Sequence, residues 1–214
     1  MKKRCIIVGA GELTVSKIPV EEEDLVIAAD GGYAYCRRLG IRPDLILGDF
    51  DSIDCANAEL VKEIRETEPE RVITLPVEKD DTDMLAALKE GLRRGCDEFL
   101  IYAGMGGRFS HTLANVQCLN FLKEQGADGR LMEEKGMAFL LRDETITFDS
   151  KKEGLLSLFS LGERAVVTIR NMKYPLDKAV VTNSFPIGVS NAFIGEEASI
   201  TAESGTLLLL VGEL

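Results

Sequence analysis

The chain has 214 residues, 45% of them apolar and 29% charged, and a formal net charge of −11 at pH 7. That length can bury a core in one large domain or two small ones, and the composition is that of an ordinary soluble globular protein. The acidic balance argues against nucleic-acid binding, which needs Lys and Arg stripes to neutralise phosphate. It favours a cationic ligand, or an anionic one brought in by metal or a local basic patch.

The predicted elements alternate from the start. Residues 5–8 read as a buried strand that ends in Gly9-Ala10-Gly11. Residues 25–29 form a second strand, followed by a helix from Gly32 that stops near Gly40. Residues 45–48 form a third strand and residues 56–66 a helix with Leu60, Val61 and Ile64 on one face. Residues 71–75 are a fourth strand. In the next helix Leu85, Leu88 and Leu92 recur at helical spacing, with Asp80 or Asp81 as N-cap and Arg93-Arg94-Gly95 as the stop. Residues 99–103 are a fifth strand and residues 110–124 a helix carrying Leu113, Val116, Leu119 and Leu122. This alternation predicts a mostly parallel, Rossmann-like three-layer α/β domain.

Beyond about residue 130 the texture changes. Short apolar runs at 138–141, 145–148, 155–159, 165–169, 179–182, 198–201 and 206–211 are separated by turn residues such as Gly154, Gly162, Pro175 and Gly205. That spacing predicts an all-β sandwich or barrel. The expected domains are therefore residues 1–130 and 131–214.

The five cysteines are scattered, odd in number and without a Cys-x-x-Cys pair, which disfavours a disulfide framework or a zinc site and fits a reducing cytoplasm. Met1-Lys2-Lys3-Arg4 resembles the start of a signal, but the apolar run behind it is too short, and no stretch reaches transmembrane length. A cytoplasmic protein with no membrane partner is expected.

The chemistry concentrates where the strands end. Asp30 stands in A-A-D-G-G, Asp49 and Asp51 in G-D-F-D-S, and Asp80, Asp81 and Asp83 in K-D-D-T-D. Ligands of open α/β sheets bind outside the carboxyl ends of the strands, so these acids are expected to share one crevice. Two carboxylates about 4 Å apart repel by roughly 4 kcal/mol at an effective dielectric near 20. Such a gathering calls for a divalent metal or protonation, and the sharper reading is a magnesium site for a polyphosphate. In an extended G-D-F-D-S segment Asp49 and Asp51 project from one face while Phe50 packs on the other. Asp80 and Asp83 are expected to share the face of a helix start, with Lys79 as a phosphate contact. Gly9-Ala10-Gly11 is an incomplete dinucleotide fingerprint and reads as a tight turn where backbone meets another group. Gly104-Met105-Gly106-Gly107-Arg108 precedes a helix, where glycine N–H groups and Arg108 can hold phosphate. His111, the only histidine, is given no chemistry.

The ordered set A-D-G-G, G-D-F-D-S, K-D-x-T-D, G-G-R and a late S-N resembles the thiamine pyrophosphokinases over nearly the whole chain. The resemblance implies magnesium-dependent transfer of a pyrophosphoryl group from ATP to the hydroxyl of thiamine, giving thiamine diphosphate and AMP. It implies catalytic roles for Asp49, Asp51, Asp80 and Asp83, with Asp49, Asp51 and Asp83 on magnesium. ATP contacts would come from Asp30, Gly31, Ser52, Lys79, Thr82, Gly107 and Arg108, and thiamine contacts from Ser190 and Asn191. A homodimer with the site near the subunit interface is also implied. Two positions depart from the family pattern: Ser110 stands where G-G-R-x-D-H has Asp, and Ala192 where S-N-E-F has Glu. Alternatives are a pyrophosphokinase for another alcohol such as a hydroxymethylpterin, a phosphohydrolase with Asp49 as nucleophile, and a non-catalytic nucleotide or thiamine sensor.

Overall fold

The apolar runs of the first half are continuous rather than alternating because their strands are covered on both faces, as parallel strands are. In the computed structural model, which describes residues 3–50, 54–76, 78 and 80–212, β1 (Arg4–Val8), β2 (Leu25–Ala29), β3 (Leu45–Gly48), β4 (Val72–Thr74), β5 (Glu98–Tyr102) and β6 (Asp128–Met132) run parallel. Their order is β6-β5-β1-β2-β3-β4. The crossovers carry α1 (Gly32–Arg38), α2 (Cys55–Thr67), α3 (Asp83–Arg93) and α4 (Phe109–Glu124).

Alternate residues of each strand serve opposite layers. Ile6, Val8, Val26, Ala28 and Ile46 pack with Tyr33 and Cys36 of α1 and Val61 of α2. On the other face α3 lies so close that a Cβ on Gly91 would stand 2.5 Å from the Phe99 ring and 3.1 Å from Cys5 Sγ. A Cβ on Gly129 of β6 would stand 2.5 Å from Leu122 of α4. The result is the expected three-layer α/β arrangement. Each fully buried Leu, Ile or Phe in it contributes about 2–3 kcal/mol.

The stop signal of α3 is also an ion-pair cluster. Gly95 takes φ +82°, and Glu90 accepts from Arg93 Nε and Arg94 Nε, each at 2.7 Å. Arg93 first, then Arg94, hold the Glu90 carboxyl down to about 2, well below its unfolded value of 4.5. A depressed carboxyl stabilises the fold above its unfolded value and loses that contribution as pH falls through the folded one. Both arginines are partly solvated, so Glu90→Gln is expected to cost only about 1 kcal/mol at pH 7. Urea melts of both proteins should converge as the pH is lowered from 4.5 toward 2.

The chain divides after Glu134, and the residues from Lys135 on form a second unit. The sixth parallel strand crosses the expected boundary at residue 130 and belongs wholly to the first unit. In the second unit β7 (Gly136–Arg142), β9 (Leu155–Ser160), β12 (Asn191–Ala192) and β14 (Thr206–Gly212) form antiparallel pairs in the order β12-β9-β14-β7. A second sheet orders β8 (Thr145–Phe148), β10 (Arg164–Arg170), β11 (Leu176–Thr182) and β13 (Ala198–Ser204) as β11-β10-β13-β8. Leu207, Leu209 and Val211 are buried while Leu208 and Leu210 are only partly so. The buried set meets Val167, Ile169 and Ile200 of the other sheet in one core. This is the expected β sandwich. Among the described residues no helix is long and apolar enough to cross a membrane.

Candidate active site

The chain runs outward from β1 through β2 and β3 to β4, then returns to place β5 on the other side of β1. That reversal opens a crevice at the carboxyl ends of β1 and β5. Its walls are joined main chain to main chain. Gly9 N donates to Tyr102 O, Gly11 N to Ala103 O and Glu12 N to Met105 O, each at 2.8 Å. A Cβ on Gly11 would lie 2.5 Å from Met105 O, and one on Gly9 2.8 Å from Ala103 O. The two glycines serve this close approach, as the incomplete dinucleotide fingerprint suggests.

The acids arrive from successive strands. Asp30, directly after β2, is buried with a left-handed backbone at φ +48°. Its N–H donates to Leu47 O at 2.7 Å, and a Cβ on Gly48 would lie 3.1 Å from its Cα. Asp30 and the Gly48-Asp49 peptide are therefore neighbours. Gly31 abuts Ala10, so the same turn also borders the loop after β1. Asp49 is half-buried. The extended run expected through G-D-F-D-S is broken at Phe50, which has φ +63° and carries the Arg65 guanidinium 5.6 Å above its ring. Phe50 does pack inward, against the layer that holds α1 and α2.

At K-D-D-T-D the cap is Thr82, whose Oγ1 accepts from Leu85 N at 3.1 Å. Neither Asp80 nor Asp81 caps the helix. Asp81 instead takes Lys89 Nζ at 2.7 Å, and Asp80 lies exposed ahead of the cap. Asp80 and Asp83 thus do not share a helical face, because α3 begins at Asp83. The Met84 side chain would stand 2.8 Å from a Cβ on Gly9, which sets the start of α3 beside the crevice.

On the far wall Gly106 and Gly107 adopt φ +79° and +64°, and α4 starts behind them. Its N-cap, Arg108, makes no side-chain capping bond, and its first turn has no acid. The Ser110 departure leaves this helix end without a carboxylate, so its N–H groups and dipole suit an anion. Asn115, buried in the second turn of α4, donates Nδ2 to Gly104 O at 2.5 Å and fixes the glycine-rich loop. Sequence reading missed it. The available signal was an amide on the otherwise apolar inner face of that helix.

The crevice therefore brings together Asp30, Gly31, Asp49 and the loop ahead of Gly107, with the Thr82-Asp83 helix start alongside. Asp51, Ser52 and Lys79 lie outside the described residues. Among those described, no three acids, histidines or cysteines are grouped to hold a metal. The donors present are hard carboxylate oxygens, one of them buried on Asp30, and this chemistry fits magnesium. Ser190 and Asn191 belong to the second unit, in the segment entering β12.

Two family models match in chain order. Residues 18–128 match the thiamin pyrophosphokinase catalytic domain, more than half the chain. Residues 143–207 match the thiamin pyrophosphokinase vitamin B1 binding domain. The chain belongs to the thiamin pyrophosphokinase family. A thiamine pyrophosphokinase of Bacillus subtilis is 27% identical over 192 residues, spanning 89% of this chain and 88% of that protein. The crystal structure of a thiamine pyrophosphokinase from Bacillus subtilis superposes with a TM-score of 0.86 at 25% identity, covering 98% and 99% of the two chains. A thiamin pyrophosphokinase family protein from Enterococcus faecalis gives 0.81 at 26% identity, covering 99% of each. Family membership selects the pyrophosphokinase reading over the phosphohydrolase one.

Proposed function

We propose that this chain transfers the pyrophosphoryl group of ATP to the hydroxyl of thiamine, releasing AMP. The observation that carries the reading is the pairing, in order, of a thiamin pyrophosphokinase catalytic domain with a vitamin B1 binding domain. The acid-lined crevice at the strand ends supports it. In the transfer the thiamine oxygen forms a bond to the β-phosphorus, the bond from that phosphorus to the departing AMP oxygen breaks, and the alcohol loses its proton.

Little covalent chemistry falls to the protein in such a reaction, so positioning and charge supply the acceleration. Gly107, Arg108 and the bare start of α4 take phosphate oxygens. Gly31 lets its turn approach the nucleotide, with Ser52 and Lys79 as further contacts. Thr82 accepts from Leu85 N and retains a hydroxyl hydrogen to donate to the triphosphate. Asp49, Asp51 and Asp83 would hold magnesium, with Asp30 and Asp80 beside them. Bound there, magnesium would neutralise the triphosphate and favour attack at phosphorus. Ser190 and Asn191 mark the thiamine end, and the acidic chain suits a thiazolium substrate.

A homodimer in the cytoplasm completes the reading. Phe185, Ile187, Val189 and Ile194 are exposed within one short stretch of the second unit, apolar surface that a second copy would cover.

The test is direct. Incubation with magnesium, ATP and thiamine should yield AMP one-for-one with thiamine diphosphate. ATP intact with thiamine but converted to AMP with another alcohol would move the acceptor, and no AMP with any alcohol would remove the reading. Arg108→Ala should raise the KM for ATP about ten-fold, the worth of a charge-assisted phosphate contact, and leave the KM for thiamine unchanged in initial-rate assays.

A further inference from the structure

The loop after β1 is held from both sides and from beyond. Gly11 N donates to Ala103 O and Glu12 N to Met105 O, each at 2.8 Å. From α1 the Tyr35 hydroxyl donates to Gly11 O at 2.8 Å. Farther on, Thr14 Oγ1 accepts from Glu134 N at 3.1 Å and donates to the Glu133 carboxylate, just past β6. The backbone on either side of Glu12 is therefore fixed, and its side chain leaves the crevice wall from a set place.

That place is against the glycine-rich loop. A Cβ on Gly106 would stand 2.5 Å from Glu12 Cβ and 3.0 Å from its Oε2. Gly106 thus answers two demands, a backbone at φ +79° and room for the glutamate. The carboxylate is exposed and makes no hydrogen bond or ion pair among the described residues. The fold does not need this charge, since main chain, Tyr35 and Thr14 already hold the loop. Yet it borders Gly107, Arg108 and a helix start that carries no acid and suits an anion. At an effective dielectric near 20, one pair of like charges about 12 Å apart already changes affinity about ten-fold. A triphosphate carries several charges, so the effect survives partial screening by salt.

We infer that Glu12 is a specificity-determining residue of the nucleotide site, whose carboxylate admits the magnesium-loaded triphosphate and rejects the metal-free one. The inference rests on the proposed function and deepens it by naming the ionic form of the nucleotide that the crevice takes. Metal-free ATP brings its whole charge to the loop and meets the carboxylate unshielded. In the magnesium complex part of that charge is cancelled, and the positive field of the metal makes a neighbouring carboxylate favourable. The glycine-rich loop supplies affinity, and the glutamate decides which form of ATP receives it.

The experiment is calorimetric titration of the full chain with ATP, once in excess magnesium and once with a chelator and no metal, at one ionic strength. Wild type should bind the magnesium complex far more tightly than metal-free ATP. Glu12→Gln should tighten metal-free ATP about ten-fold and move the magnesium complex by less than about three-fold, so that the preference collapses. Glu12→Asp, which keeps the charge, should keep the preference. Glu66→Gln removes an equal charge from the exposed face of α2 and should leave both affinities near wild type. In turnover assays ATP in excess of magnesium should inhibit Glu12→Gln more strongly than wild type. Because Glu12 is exposed, its variants should melt near wild type, which keeps the comparison one of binding. Metal-free ATP held no tighter by Glu12→Gln than by wild type would overturn the inference. Equal tightening of both forms, or the same gain from Glu66→Gln, would also overturn it. Wild type that takes neither form would instead overturn the proposed function, and this inference with it.

Discussion

Asp49→Asn is expected to reduce pyrophosphoryl transfer roughly a thousand-fold while the melting temperature stays within a few degrees of wild type. The residue follows β3 directly, half-buried beside the Asp30 turn, and asparagine matches aspartate in shape. What changes is charge. An amide binds a hard dication poorly, so the triphosphate would lose neutralisation at the step where the β-phosphorus is attacked. The check is AMP release by chromatography with a thermal melt on the same sample. Turnover within ten-fold of wild type would remove Asp49 from the metal-binding set. Loss of activity together with loss of fold would assign it to structure instead.

Gly32→Ala is expected to have the largest effect on stability. A Cβ there would lie 1.9 Å from Val8 O and 2.7 Å from Val8 C, which are backbone atoms at the end of β1. No rotamer change relieves a clash with main chain, so α1 or β1 must move. The cost is expected to be about 3 kcal/mol or more, at the upper end of overpacking. Because β1 carries the loop of Gly9 and Gly11, a folded Gly32→Ala protein should also lose ATP affinity. Urea denaturation gives the first quantity and the KM for ATP the second. An unchanged midpoint would mean that α1 can shift at no cost.

The first five strands and the four helices were legible because each pairs a periodic or continuous apolar run with a turn signal. β6 was not read as a strand. Asp128-Gly129-Arg130-Leu131-Met132 contains an acid, a glycine and an arginine, and only its partner β5 makes it a strand. The acid clusters were visible as composition at strand ends, but their local geometry was not. A threonine two residues past Asp80 takes the cap, and Phe50 turns left-handed where an extended run was expected. Asn115 and Asn191 show a further limit. Asn115 went unread, Asn191 was read only as a thiamine contact, and each holds a backbone partner 11 or 17 positions away. No local pattern announces such a partner, since only the fold brings it near.

The walls of the crevice are built from peptide groups: Gly9 to Tyr102, Gly11 to Ala103, Glu12 to Met105 and Asp30 to Leu47. Peptide groups are common to every residue but proline's missing donor, so the shape of this crevice is nearly independent of which side chains the strands and helices bear. The sequence can therefore drift far while walls of this kind keep their shape. Substitution is constrained most at the glycines that admit a neighbouring main chain, Gly9, Gly11 and Gly32 among them.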